Sequence, residues 1–386
     1  MKYVLLAFLP ICLSLALAGS SQAGVVGGRR LFKFQSEADF CGFHLRGACR
    51  HDSASGITFH SRGAKTDAHG LPYGFVESPD VEVGFPCDEI VVSWNAVTPP
   101  GTYLSVHIQV RSGGFWNRRF TVAIWNRDNR PVGRMSVPGQ EDDIARMETD
   151  VLRLKKPADA FRVSAKLLSV DGQVYPTLRL LTVHALDANA RPNRARARKS
   201  VWGKELVVPE RSQLTVADGD RFCSAASTAM VLDYWAQELG RPELSVTLAD
   251  AIAGIYDQEW GGTGNWTFNT AYAAEFGGLR AYVTRMGGLR QAEDWIARGV
   301  PVIVSVDYNI LRKNESGGRM GHLMVLRGFT QNGDCIINDP NADLGNGDCV
   351  RKVFERGDFE RSWLTREGSF GTVYLVYPDG WDVPGG

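Results

Sequence analysis

The sequence predicts an all-β sandwich or jelly roll followed by an α+β domain, and three observations carry that reading. From Glu89 to His184 the chain is a series of short runs in which apolar and polar residues alternate, the period of a strand with one buried face. Beyond residue 204 the apolar residues fall first at helical spacing and then again in short strand-like runs. Between the two, residues 190–199 hold five basic residues and no acid, with no hydrophobic period. The 386 residues, at about 150 per domain, suit two domains or slightly more. Hydrophobic residues make up 44% and charged residues 22%, which excludes disorder, collagen and coiled coil as descriptions.

The chain opens with Lys2, a largely apolar run from Val4 to Leu17, and the small residues Ala18 to Ala23. That is the layout of a cleaved secretory signal over residues 1–23, with Ser21-Gln22-Ala23 as the cleavage site and Ala16-Leu17-Ala18 as its rival. The run is shorter than the roughly 20 residues of a membrane-spanning helix, and no later segment supplies them. The expectation is a secreted or periplasmic protein without stable membrane insertion. Cys12 follows Pro10-Ile11 and lacks the small neighbour of a lipid-modified cysteine.

Residues 24–186 form the predicted sandwich. In Tyr103 to Arg111 and again in Phe161 to Leu167 every second residue is apolar, and Thr98-Pro99-Pro100-Gly101 and Ser112-Gly113-Gly114 supply turns. His107 falls on the polar side of its strand and is expected to be solvated. Trp94, Trp116 and Trp125 are read as core residues, with a glycan platform as the alternative. Residues 187–203 are the basic linker. Residues 204–386 begin with a helix near Cys223, marked by Ser227, Met230, Val231 and Tyr234 and ended by Gly240-Arg241-Pro242. A second helix covers Ala292 to Arg298, and strands are read at Val300–Val306, Leu323–Phe329, Cys335–Asn338 and Gly371–Tyr377.

Lys+Arg and Asp+Glu both number 43, yet residues 1–203 carry +8 and residues 204–386 carry −8. A charge of this size spread over a strand-rich half does not point to nucleic acid. It suits docking of the halves on each other, or attraction of the first half to an anionic cell-wall polymer or glycan. Six cysteines follow the signal: Cys41, Cys49, Cys87, Cys223, Cys335 and Cys349. With Cys223 kept reduced, disulfides are expected between Cys335 and Cys349 and between two of Cys41, Cys49 and Cys87. No Cys-x-x-Cys occurs and the second half holds one histidine, so no zinc or other metal site is expected.

Cys223 lies where the glycine- and charge-rich Ala217-Asp218-Gly219-Asp220-Arg221 meets a helix start, where unpaired N–H groups and the helix dipole favour thiolate. A cysteine nucleophile needs a base, and His322, at the head of an apolar strand, is the only histidine of residues 204–386. Asn338-Asp339-Pro340 follows, and a hairpin near Thr330–Asp334 brings Asp339 toward the imidazole to fix its tautomer. A two-residue turn at Asn332-Gly333 would set His322 opposite Asp343 and leave Asp339 about 13 Å along the strand. A longer loop or a bulge centred nearer Thr330-Gln331 is therefore expected, with Asp343 as the alternative orienter. Gln213 is the candidate oxyanion donor beside the N–H of Cys223. Asp339-x-Asn341-x-Asp343 begins like a calcium loop, but Leu344 and Val350 stand where glycine and the bidentate glutamate are needed.

These residues carry a resemblance. Gln213, then Phe222-Cys223-Ser224 with Ser227-Thr228 and Met230-Val231-Leu232, then Gly321-His322, then Asn338-Asp339-Pro340, resemble the cysteine peptidases similar to bacteriocin-processing, double-glycine leader peptidases of the papain-like superfamily. The resemblance implies a papain-like fold for residues 204–386, with Cys223 as nucleophile, His322 as base, Asp339 as orienter and Gln213 in the oxyanion hole. Gly262 to Tyr272 and Ser93-Trp94-Asn95-Ala96 also look like exported two-domain relatives, and Trp266 is taken to border the substrate cleft. The expected function is hydrolysis of a peptide or isopeptide bond in a peptide or protein substrate, with no cofactor. Two alternatives keep the same fold: a non-catalytic wall- or glycan-binding protein, and an acyl transferase using the same three residues.

Overall fold

The computed structural model describes residues 27–385 except 51–55, 60–62, 68–69, 131, 190, 192–194, 315 and 367–368. The predicted signal, and residues 190 and 192–194 of the basic tract, lie outside the described residues.

Alternating sequence in the first half becomes one thirteen-stranded antiparallel sheet that folds back on itself until nearly closed. Long bent strands make this possible. Val151–Ser169 pairs with Val81–Val97 near its start, with Val151 opposite Val91, and with Thr102–Ser112 beyond its middle, with Val163 opposite Ile108. One strand thereby serves both walls. Leu104, Val106, Ile108, Val110, Val163 and Ala165 point inward and are fully buried, as a period of two requires.

The side expected to face water is partly covered. His107 is only 6% exposed and its Nε2 lies 3.0 Å from Ser105 Oγ. Its strand is central, with Phe120–Trp125 on one side and Val151–Ser169 on the other, and Lys166 stands directly opposite Ser105. Burial, with the nearby charges of Lys166 and Arg119, holds the imidazole neutral, its pKa pushed down to about 3.

The second half is a six-stranded antiparallel sheet in the order Leu279–Arg285, Thr372–Pro378, Val302–Asp307, Gly321–Phe329, Cys335–Asn338, Arg351–Phe354. Against it lies the helix Cys223–Glu238, in which every residue from Ser224 to Ala236 is buried. The seam of Ser227, Met230, Val231 and Tyr234 meets the sheet side, while Leu248–Ile255 and Trp266–Glu275 cover the rest. The helix stops at Gly240, whose φ of +62° suits glycine. The strand Leu279–Arg285, an edge strand with charge at both ends, has no counterpart in the sequence reading.

Trp94 and Trp125 from the first half pack edge-to-face with Phe268 from the second, at 6.2 and 5.3 Å. Trp94 Nε1 has no partner among the described residues, but the charged groups sealed in beside it are paired. Glu275 accepts from Thr98 and from Trp125 Nε1, and buried Arg134 donates to the carbonyls of Ala253 and Tyr256. Buried apolar residues of both halves form one continuous core. The end of the connector is pinned as well, since the Arg198 N–H and Trp202 Nε1 both donate to Glu293.

The expected disulfides are not formed among the described residues, where Cys41, Cys87, Cys223, Cys335 and Cys349 are free thiols. Cys335 is buried opposite Phe354, whereas Cys349 lies exposed beyond the other end of that ladder. The offset of about five strand residues, roughly 17 Å, is far outside disulfide reach. Among the described residues no helix is long and apolar enough to cross a membrane.

Candidate active site

Cys223 is the first residue of its helix, and the preceding Phe222 offers no side-chain cap, so first-turn N–H groups stay directed at the thiol's surroundings. The chain arrives through a tight turn, Gly219–Arg221, in which a Cβ on Gly219 would stand 2.1 Å from the carbonyl oxygen of Gln213. Only glycine lets these two backbones touch. That contact seats the Gln213 turn on the approach to Cys223. On its other side the Gln213 N–H donates to the Pro340 carbonyl at 2.8 Å, and Ser212 Oγ donates to Ala342. Gln213 is thus wedged between the segments bearing Cys223 and Asp339. Its side chain is buried and Oε1 has no hydrogen-bond partner among the described residues.

His322 is the second residue of Gly321–Phe329 and lies opposite Val306. Its Nε2 is 2.8 Å from Asp339 Oδ1, which leaves Nδ1 as the ring nitrogen free to meet the Cys223 side chain, whose nearness raises the imidazole pKa. The Tyr308 ring packs on the imidazole with centroids 4.3 Å apart. Asp339 is the first residue past Cys335–Asn338, and its carboxylate is wholly buried. Oδ1 also accepts the Asn341 N–H, while Oδ2 accepts from the Tyr308 hydroxyl at 2.6 Å and faces Lys352 Nζ at 3.2 Å.

The longer loop that was expected is present, together with a bulge, but both are placed differently from the expected centre at Thr330-Gln331. A five-residue loop, Thr330–Asp334, joins the strands and is centred on Asn332, and the bulge lies at Arg327. His322 therefore extends past the end of the partner strand, and Asp339 reaches it from the bend where the chain leaves the sheet. Asn338 holds that bend, donating to the Val208 and Pro209 carbonyls and accepting from Arg327. Asp343 is exposed and caps the turn Leu344–Asn346, away from the imidazole.

Burial alone would raise the Cys223 thiol, but the hydrogen bond to His322, its charge, and the N–H groups of Leu323 and Ser224 bring it below its ordinary value. Burial would lower His322, yet Asp339 and Cys223 push it up to about 9. Desolvation would raise Asp339, and His322, Tyr308 and Lys352 together hold it well below the usual carboxylate range. All three shifts favour a thiolate–imidazolium pair beside a carboxylate.

Trp266 opens the helix Trp266–Glu275, half-buried at the junction of the halves. Its N–H donates to Asp150 and its ring lies 6.0 Å from the Arg285 guanidinium. The accessible tryptophan of this region is Trp260, half exposed and packed over Gly262 and Gly264. Its loop abuts the start of the Cys223 helix, with Ser224 Oγ donating to the Thr263 carbonyl and Arg221 to that of Gly261. Tyr308, Lys352 and Trp260 were not picked out by sequence reasoning. Only Trp260 carried a local signal, a lone aromatic before a run of glycines.

Residues 30–185 match the family model described as the peptidase C39 N-terminal domain, and residues 205–369 match that of the peptidase C39-like family. No curated protein matches. Among solved structures, a C39-like peptidase from Bacillus anthracis is 19% identical, with 45% of this chain and 97% of that one covered and a TM-score of 0.33. A family 22 carbohydrate-binding module of Clostridium thermocellum Xyn10B is 10% identical over 42% of this chain and 97% of its own, with a TM-score of 0.23. The module TmCBM61, solved with β-1,4-galactotriose, is 9% identical over 37% and 88%, with a TM-score of 0.21. Likenesses this distant carry no functional weight. Two models of one peptidase class account for both halves in turn, and the chain belongs to the C39-like cysteine peptidase family.

Proposed function

We propose that this protein is an exported thiol hydrolase that cleaves a peptide or isopeptide bond, with a papain-like catalytic domain in residues 204–386 behind a β-sandwich in 24–186. The observation that carries the reading is the convergence of Cys223, His322 and Asp339 from three segments far apart in sequence, with His322 and Asp339 hydrogen-bonded at 2.8 Å and Cys223 and His322 near enough to shift each other's protonation. Thiolate Cys223 attacks the scissile carbonyl, and the Cys223 N–H with the Gln213 side chain receives the developing oxyanion. The imidazolium of His322 protonates the leaving amine, and then takes a proton from the water that releases the acyl-enzyme. Asp339 keeps the ring oriented and its charge stabilised. The basis for export is the signal pattern of residues 1–23.

The test is digestion of a peptide library by the wild type and by Cys223→Ala, with products read by mass spectrometry. Cleavage at defined bonds by the wild type alone is expected. Equal product patterns, or none from a folded and reduced wild type, would overturn the proposal. Products extended by an added amine would assign acyl transfer instead.

A further inference from the structure

The outer face of the first half carries a cavity of about 630 Å³, remote in sequence from Cys223, His322, Asp339 and Gln213. Strand register explains its make-up. Pro72–Glu77 runs between His44–Arg46 and Lys65–Thr66 on one side and Val151–Ser169 on the other. Phe75 is paired with both Arg46 and Lys166, and Tyr73 with Lys65, so these side chains share a face with His44, Glu77 and Arg162. The opposite face, Gly74, Val76, Val163 and Ala165, is buried. Two positions in every four along these strands are thus given to aromatic and charged groups projecting into one concavity.

The cations are held in place by the rings. Lys166 Nζ lies 4.9 Å from the Tyr73 centroid and the Arg119 guanidinium 5.1 Å from that of Phe75. Arg162 lies over Trp116 at 4.1 Å and pairs with Asp80, as Arg119 pairs with Glu77. Among the described residues no carboxylate pairs with Arg46, Lys65 or Lys166. The cavity therefore offers three positive charges with no carboxylate partner among the described residues, one of them, Lys166, seated on Tyr73, together with two carboxylates whose spare oxygens suit hydroxyl donors.

We propose that this cavity binds an acidic glycan, a saccharide chain bearing a carboxylate or phosphate on some of its sugars and hydroxyls on the rest. The volume falls within the range of small-ligand sites. Arg46, Lys65 and Lys166 take the acid group, and Glu77 and Asp80 accept sugar hydroxyls. A densely charged polyanion fits less well, because it brings those two carboxylates no hydroxyls and meets their repulsion. The site lies outside the catalytic machinery and goes beyond the proposed hydrolysis.

Isothermal titration of the full-length protein with oligogalacturonate, a phosphorylated mannan, a neutral galactan and poly-glutamate tests it, alongside Cys223→Ala and the double variant Arg46→Gln/Lys166→Gln. The expected result is salt-sensitive binding of one or both acidic glycans, unchanged in Cys223→Ala and weakened about tenfold or more in the double variant with unchanged melting temperature. The glycan that binds identifies the acid group. No binding of either acidic glycan, unaltered binding by the double variant, or binding of poly-glutamate as tight as that of the glycan would overturn the proposal.

Discussion

Asp339 is the residue on which the site's electrostatics turn, because four donors or cations converge on one buried carboxylate. Asp339→Asn keeps the shape but removes the charge that favours imidazolium, and permits the wrong ring tautomer. Turnover is expected to fall on the order of 10²- to 10⁴-fold, measured as kcat on any substrate found by digestion. The same charge makes the pair a stability element with a definite sign. His322 is held above its ordinary value, so its contribution is complete below about pH 6.5 and is lost as pH rises through about 9. Asp339 is held below its ordinary value, so its contribution is complete above about pH 4 and is lost in strong acid. The midpoint difference between the wild type and Asp339→Asn is therefore expected to be largest at neutral pH and to narrow above pH 9, where the carboxylate keeps only its Tyr308, Asn341 and Lys352 contacts. A constant difference across that range would contradict the assignment.

At the scale of elements, the site depends on a backbone contact more than on any side chain of the Gln213 turn. Gly219→Ala inserts a methyl against the Gln213 carbonyl, and neither backbone can yield without moving Gln213 or the approach to Cys223. Activity is expected to fall about 10- to 100-fold while the melting temperature drops by only a few degrees. An unaffected kcat/KM would mean that Gln213 takes no part. Cys223, His322 and Asp339 were legible in the sequence because each sits at a change of pattern: loop to helix, loop to strand, strand to turn. Tyr308 and Lys352 were not, since they meet Asp339 only through the pairing of Val302–Asp307 with Gly321–Phe329 and of Cys335–Asn338 with Arg351–Phe354. The hairpin was foreseeable, but the bulge at Arg327 was not, because it serves the buried Asn338–Arg327 bond and leaves no mark in the hydrophobic pattern.

For the whole molecule, two pattern regimes and a basic connector were legible in the residues, but alternation could not reveal how tightly the halves join. Ser93 and Asn95 are alternate polar residues of one strand, and both are buried against Leu279–Arg285 of the second half, bonding Val283 and Ala281. His107, expected to be solvated, is covered as well. Periodicity reports which residues alternate and says nothing about what a later segment lays over them. Because Trp94, Trp125 and Phe268 share one core, Trp94→Ala is expected to cost about 3–5 kcal/mol and to leave a single cooperative unfolding transition, followed by calorimetry. Residues 204–386 expressed alone should aggregate or lose activity, since Phe268 and the buried Glu275 would face water unpartnered. A soluble, fully active fragment would contradict that dependence. The most direct test of the central claim, that Cys223 and His322 work as an ion pair, is the rate of iodoacetamide modification of Cys223 as a function of pH. The account predicts a rate nearly constant between about pH 6 and 8 in the wild type, and one rising about tenfold per pH unit in His322→Ala. A wild-type rate that climbs tenfold per unit through that range would contradict it.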